Sequence, residues 1–256
     1  MNRHVARLSG LIILIALTLL ACNRHKIKPN LSAEERMQKA EKMFGDGDYL
    51  DAKTEFKIIL LNFPASNLSD RAQFFYAECH FMLKEYILAI EEYKKLIRAY
   101  PNSEYVDDAQ YKVALSSFKL SPKSSLDQTY TEKALEEFQR FLEDYPTSPL
   151  VPEATRAMLK CRERLAEKNF KIGESYRKRA LFGSAIIYYD YVLDNYYDTS
   201  FAEKALWEKA GCYRAAGDKA QADKFYRLYL EKYPKSSRAD RIKSQLPGDT
   251  IGENKY

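Results

Sequence analysis

An all-α solenoid of five stacked helix pairs is the fold that the sequence predicts, and two observations lead there. One motif, Ala-x3-[Phe/Tyr]-x3-[Leu/Ile]-x2-[Phe/Tyr], recurs five times along the 256 residues and is usually followed by Pro-x-Ser. Its internal steps of 4, 4 and 3 put the repeated positions on one helical stripe. Composition agrees. Nine Gly and nine Pro lie below average usage and exclude collagen-like and low-complexity chains, while a hydrophobic content of 46% excludes a disordered one. Three His and four Cys leave little material for a metal site or a disulfide framework. A net charge of +5 set against 41 basic and 36 acidic residues describes a mixed, solvated surface, and no nucleic-acid partner is expected.

In chain order, residues 1–21 read as an address rather than a folded element. Arg3, His4 and Arg7 make a basic start, and the 14-residue apolar run from Leu8 to Ala21 is shorter than the ~20 residues a spanning helix needs. The run stops at Cys22, and Asn23-Arg24-His25-Lys26 is strongly polar. Leu19-Leu20-Ala21-Cys22 resembles a bacterial lipobox, in which the signal is cut before the cysteine. The thiol is the nucleophile that takes the diacylglycerol, and small Ala21 suits the cleavage pocket. Several acyl chains hold a protein on a bilayer at ~0.8 kcal/mol per buried methylene. No Asp and no acidic run follow Cys22, which by analogy with known lipoprotein sorting points to the outer membrane and its periplasmic face. Residues 22–31 then form a lipidated tether.

The repeats begin at about residue 33. The first copy reads Ala52-Phe56-Leu60-Phe63-Pro64-Ser66 and the second Ala89-Tyr93-Ile97-Tyr100-Pro101-Ser103. The third is Ala134-Phe138-Leu142-Tyr145-Pro146-Ser148, the fourth Ala185-Tyr189-Leu193-Tyr196-Tyr197-Thr199, and the fifth Ala222-Tyr226-Leu230-Tyr233-Pro234-Ser236. Proline stops the helix, and the serine offers an oxygen resembling a helix N-cap before the next one. Another alanine follows eight residues after each Pro-equivalent position, at Ala72, Ala109, Ala154 and Ala205. Each unit is therefore a helix pair whose second helix carries the motif, over about 33–66, 69–103, 106–148, 151–199 and 202–236. Residues 247–256 form a flexible tail to a domain spanning 32–246.

Spacings between the motif alanines are 37, 45, 51 and 37 residues. The polar stretch Ser121-Pro122-Lys123-Ser124-Ser125 locates the extra length of the third unit in a loop. Pro152 to Arg179 contains no internal proline, so the 14 extra residues of the fourth predict one long first helix, about 21 Å of added length in phase with the rest. Cys79, Cys161 and Cys212 each fall 15 residues after a Pro-equivalent position, one slot that asks for a small buried residue.

This pattern resembles the tetratricopeptide repeat, a right-handed solenoid, in a divergent form with a period of 37 and no first-helix Trp. Lipobox and five repeats together resemble the BamD family of outer-membrane protein assembly factors over roughly residues 22–240. The most specific segment is Leu165-Ala166, Ile172-Gly173, Tyr176, Arg179, Phe182 and Ala185, with Tyr196 and Asp198-Thr199 after it and Asp127-Gln128 before the third motif. Asn169, Tyr188-Tyr189 and Tyr197 depart from the family pattern, so its contacts do not transfer residue for residue. The resemblance implies a scaffold whose first three repeats bind the C-terminal signal of unfolded outer-membrane proteins, and whose last three dock on a BamA-like barrel subunit.

In such solenoids first helices line the groove. That phase assigns Met37, Glu41, Phe74, Glu78, Phe81, Tyr111, Leu115 and Phe118 to a peptide groove, and Tyr176, Arg179 and Phe182 to partner contact. Two roles stand open for these rings: ligand contact and packing between neighbouring helices. His4, His25 and His80 form no ligand cluster, and phosphate loops, nucleophile elbows and paired Cys-x2-Cys are all missing. The sequence thus reads as a non-enzyme without metal or cofactor. Another envelope tetratricopeptide adaptor, serving peptidoglycan coordination or nutrient uptake, is the competing reading.

Overall fold

The computed structural model describes residues 31–244 and 246. Helices α1 (Ala33–Gly45) and α2 (Tyr49–Asn62) make the first pair, and α3 (Ser69–Met82) and α4 (Tyr86–Ala99) the second. The third is α5 (Val106–Leu120) with α6 (Thr129–Asp144), and the fourth α7 (Val151–Lys178) with α8 (Phe182–Asn195). The fifth is α9 (Ser200–Ala215) with α10 (Lys219–Lys232), and α11 (Ala239–Lys243) covers its open end, burying Ile242 against Leu206 and Tyr226. Each helix packs mainly on its neighbours in the chain, which makes the stack a tetratricopeptide-like helical solenoid. A capping box starts it: Ser32 Oγ accepts from the Glu35 amide at 3.2 Å, and Glu35 accepts from the Ser32 amide at 2.9 Å.

The motif alanine and the aromatic four residues on are buried in every repeat, as at Ala52 and Phe56 or Ala185 and Tyr189. The third core position differs from the motif. Ile59, Leu96, Phe141, Val192 and Tyr229, seven residues after each alanine, are fully buried, whereas Leu60, Ile97, Leu142, Leu193 and Leu230 beside them are only partly so. Steps of 4 and 3 return a 3.6-residue helix to the same face, and a second step of 4 overshoots it.

The serines of Pro-x-Ser do not cap helices, because Leu68, Tyr105, Leu150 and Arg238 hold the cap positions two residues later. Instead each serine closes a short turn, accepting from the amides of those four residues at 3.2–3.3 Å. Three also reach back to an acid in the first turn of their own repeat: Ser103 to Asp70 at 2.6 Å, Ser148 to Asp107 at 2.8 Å and Ser236 to Glu203 at 2.7 Å. A repeat is thereby clasped end to beginning.

The cysteine slot is one place in the fold. Cys79 packs on α2, Cys161 on α6 and Cys212 on α8, each the second helix of the preceding repeat. All three are free thiols, and burial pushes them up to about 12, 12 and 11, so they stay neutral. The third-repeat equivalent is Ser116, fully buried with a hydroxyl that finds no partner. Ser116→Cys removes that unmet group, worth about 1 kcal/mol, and is expected to raise Tm by roughly 2–4 °C in a thermal melt. A lower Tm would show that the slot is not equivalent across repeats.

Helix α7 runs 28 residues, about 42 Å, and works as two first helices end to end. Its N-terminal half, with Ala154, Ala157 and Cys161, packs on Phe138 and Phe141 of α6. Its C-terminal half, with Leu165, Ala166 and Phe170, packs on Ala185, Tyr189 and Val192 of α8. At the changeover, Arg162 grips Asp198 with Nε at 2.9 and 2.8 Å from the two carboxylate oxygens, and Nη2 donates to the Asn195 carbonyl at 2.8 Å. A helix that elsewhere touches both neighbours along one length here touches them in succession, so the fourth and fifth repeats are displaced along its axis.

Candidate functional site

Three groups of residues singled out by sequence occupy three different settings. Cys22 lies outside the described residues. On the first helices of the opening repeats, Met37 is buried among Ala52, Phe56 and Ile59. Glu41 forms an ion pair with Arg71 at 2.5 Å. Phe74 is 9% exposed and stacks on Tyr105 with centroids 4.8 Å apart. Met37 and Phe74 are thus packing residues in this arrangement, because the next element covers their side chains.

Glu78 is the centre of a cross-repeat network. Tyr93, fully buried on α4, donates its hydroxyl to the Glu78 carboxylate, and Lys112 on α5 approaches the same carboxylate at 2.7 Å. Burial, then the adjacent Glu78 charge, pushes the Tyr93 hydroxyl well above its ordinary range, so it remains a donor. The Lys112 ammonium also sits 4.7 Å from the centre of the Phe81 ring. One lysine therefore joins two candidate groove residues, and nothing in the motif pattern marked it.

The partly exposed members are Phe81, Tyr111, Leu115 and Phe118. Tyr111 leans on Phe138 and Phe141 with centroids 5.9 and 5.8 Å away. The guanidinium of Arg164, from α7, lies 4.9 Å over Phe118 and donates to the Ser121 carbonyl at 3.1 Å and its hydroxyl at 2.6 Å. Gln128 pins the 121–128 loop from inside, donating to the carbonyls of Lys123 and Leu126 at 2.9 and 3.1 Å. Lys168 and Lys171 hold its outer side through the Leu126 carbonyl at 3.2 Å and the Ser124 hydroxyl at 3.3 Å. The two insertions into the repeat pattern, a loop and a helix extension, therefore lie against each other.

Tyr176, Arg179 and Phe182 stand where α7 turns into α8. Tyr176 stacks on Tyr188 with centroids 5.5 Å apart, Phe182 packs on the fourth-repeat core, and Arg179 is exposed. Among the described residues no helix is long and apolar enough to cross a membrane.

A family model described as YfiO, outer membrane lipoprotein, matches residues 29–228, from the end of the tether into α10. The chain belongs to this family of outer membrane lipoproteins. The match covers the five motifs up to Tyr226 and both irregular repeats, and an outer membrane lipoprotein family of this repeat type implies protein partners. The tetratricopeptide region of yeast Sti1, solved as a TPR2AB-domain:pHSP90 complex, is 14% identical, covering 83% of this chain and 82% of that one, with a TM-score of 0.44. The P58(IPK) TPR domain is 16% identical over 83% of this chain and 54% of that one, TM-score 0.43. PilW, a type IV pilus biogenesis factor, is 15% identical over 83% and 99%, TM-score 0.39.

Proposed function

We propose that this YfiO-family chain is a lipid-anchored, non-enzymatic scaffold on the periplasmic face of the outer membrane. It joins a BamA-like barrel subunit to the C-terminal signal of nascent outer-membrane proteins. Cys22 carries the lipid. The observation that carries this reading is α7, one rigid helix with repeats one to three on its first half and repeats four and five on its second. Such a piece can hold two protein partners at a fixed separation, which is what an assembly scaffold requires.

In this reading the substrate signal meets the partly exposed Phe81, Tyr111, Leu115 and Phe118. Glu41 and Glu78 set the charge beside them, while Met37 and Phe74 support from beneath. The barrel subunit meets the far end around Tyr176, Arg179 and Phe182. Depleting the chain from cells is expected to lower the levels of outer-membrane β-barrel proteins; unchanged levels would end this reading. At finer scale, a folded Phe81→Ala/Phe118→Ala variant is expected to bind a synthetic peptide ending in an outer-membrane signal at least several-fold more weakly, measured by fluorescence anisotropy. Unaltered affinity would assign those rings to packing.

A further inference from the structure

Where the inserted loop meets the extended half of α7, a groove of about 540 Å³ opens on the surface. Ser124 and Ser125 form one wall, and Lys168, Lys171 and Arg179 line the other with Ile172 and Tyr176 between them. A shallower groove continues past Glu174 and Lys178. The first groove has three cations and no carboxylate in its lining. Lys168 donates to the Leu126 carbonyl, and Arg179 is exposed. Lys171 pairs with Glu167 at 2.6 Å, and Lys168 lies close enough to the exposed Asp127 carboxylate to help hold its pKa down. Arg140, by contrast, stands between Glu136 and Glu137 of its own helix. The surplus here coincides with the one place where the repeat pattern is broken twice.

Geometry separates the chemical classes that could neutralise this surplus. A phosphate or lipid headgroup needs donors converging on one point. Lys168, Ile172 and Ser175 of α7 and Arg179 at its C-terminal cap instead follow one stripe, and eleven residues of helix span about 16 Å. An extended chain covers that distance in about five residues. Ile172 and Tyr176, both partly exposed, lie between the end cations. We infer that this groove binds an extended acidic peptide segment of a partner protein, with carboxylates at its two ends for Lys168 and Arg179 and an apolar or aromatic side chain between them. The groove shares Tyr176 and Arg179 with the barrel-subunit contact proposed above, and the inference does not depend on which machine the scaffold serves.

The probe is a fluorescein-labelled peptide, Glu-Glu-Ser-Phe-Ser-Glu-Glu, titrated with the full chain in detergent and read by anisotropy. Saturable binding is expected, weakening as salt rises. The Lys168→Glu/Arg179→Glu variant should bind about tenfold or more weakly, while Lys57→Glu/Lys232→Glu, carrying the same charge change on other helices, should bind as the wild type does. The milder Lys168→Gln/Arg179→Gln pair, checked by circular dichroism melting, keeps the test valid if charge reversal disturbs the fold. A peptide with Ser in place of Phe should lose several-fold. Equal loss in both charge-reversed variants would reduce the effect to net charge and overturn the site. So would absence of saturable binding, or binding to phosphatidylglycerol vesicles without binding to the peptide.

Discussion

Replacing Gly173 with alanine is expected to destabilise the protein by about 1–3 kcal/mol and to lower Tm by several degrees. A Cβ at this position would stand 2.7 Å from Cε1 of Tyr189 and 3.1 Å from its Cδ1 and Cζ. That ring is fully buried and has nowhere to move. Helix propensity pulls the other way by about 1 kcal/mol, since alanine is the better helix former, and the overlap outweighs it. The site matters because the two helices of the fourth repeat approach closely there. Ala40, Ala77, Ala114 and Ala210 fill the equivalent place in the other repeats, all fully buried, and only here does the aromatic ring come close enough to require glycine. Gly183 is the control: a Cβ there meets nothing within 4 Å, so Gly183→Ala should leave stability unchanged or raise it. Adding Tyr189→Leu to Gly173→Ala should recover part of the loss, with a coupling of roughly 0.5–3 kcal/mol in a double-mutant cycle. Equal melting curves for the two glycine variants would contradict this packing.

Glu78→Ala is the second large effect, an expected loss of about 2–4 kcal/mol in urea unfolding. It leaves the buried Tyr93 hydroxyl without its acceptor and takes from Lys112 the carboxylate that ties α5 to α3. The damage differs by partner, and variants can separate it. Tyr93→Phe in the Glu78→Ala background removes the stranded hydroxyl and should restore about 1–2 kcal/mol. Lys112→Met in that background should restore less, because Lys112 is partly exposed and its ammonium can reach water. Full stability of Glu78→Ala would mean that the network is incidental to the junction of repeats two and three.

The helix pairs were legible in the sequence because burial at the motif alanine and the aromatic four residues on repeats as identity, Ala with Phe or Tyr. The third core position was not. Ile59, Leu96, Phe141, Val192 and Tyr229 share a place but not a residue type, so a search for recurring letters settles on the conserved-looking Leu or Ile one residue later. Serine after proline misled for a similar reason: its oxygen does bond a nearby amide, but in a turn two residues short of the cap. The two length anomalies identified a loop and a long helix, yet their contact depends on α7 passing beside residues 121–128, which no local pattern encodes. First-helix phase placed Met37 and Phe74 in a groove, but whether such a side chain is open depends on the following helix and turn, as Tyr105 decides for Phe74. Chain charge hid the cationic groove, since a total near balance says nothing about where cationic side chains collect.

The scaffold reading stands or falls on the company the protein keeps. Affinity capture of the tagged full chain from detergent extracts of its own cells, followed by identification of stoichiometric partners, tests it most directly. A β-barrel subunit of the BamA type should be recovered in about equal amount. Recovery of a folded, membrane-derived chain without any such subunit, or with a different envelope complex in its place, would contradict it.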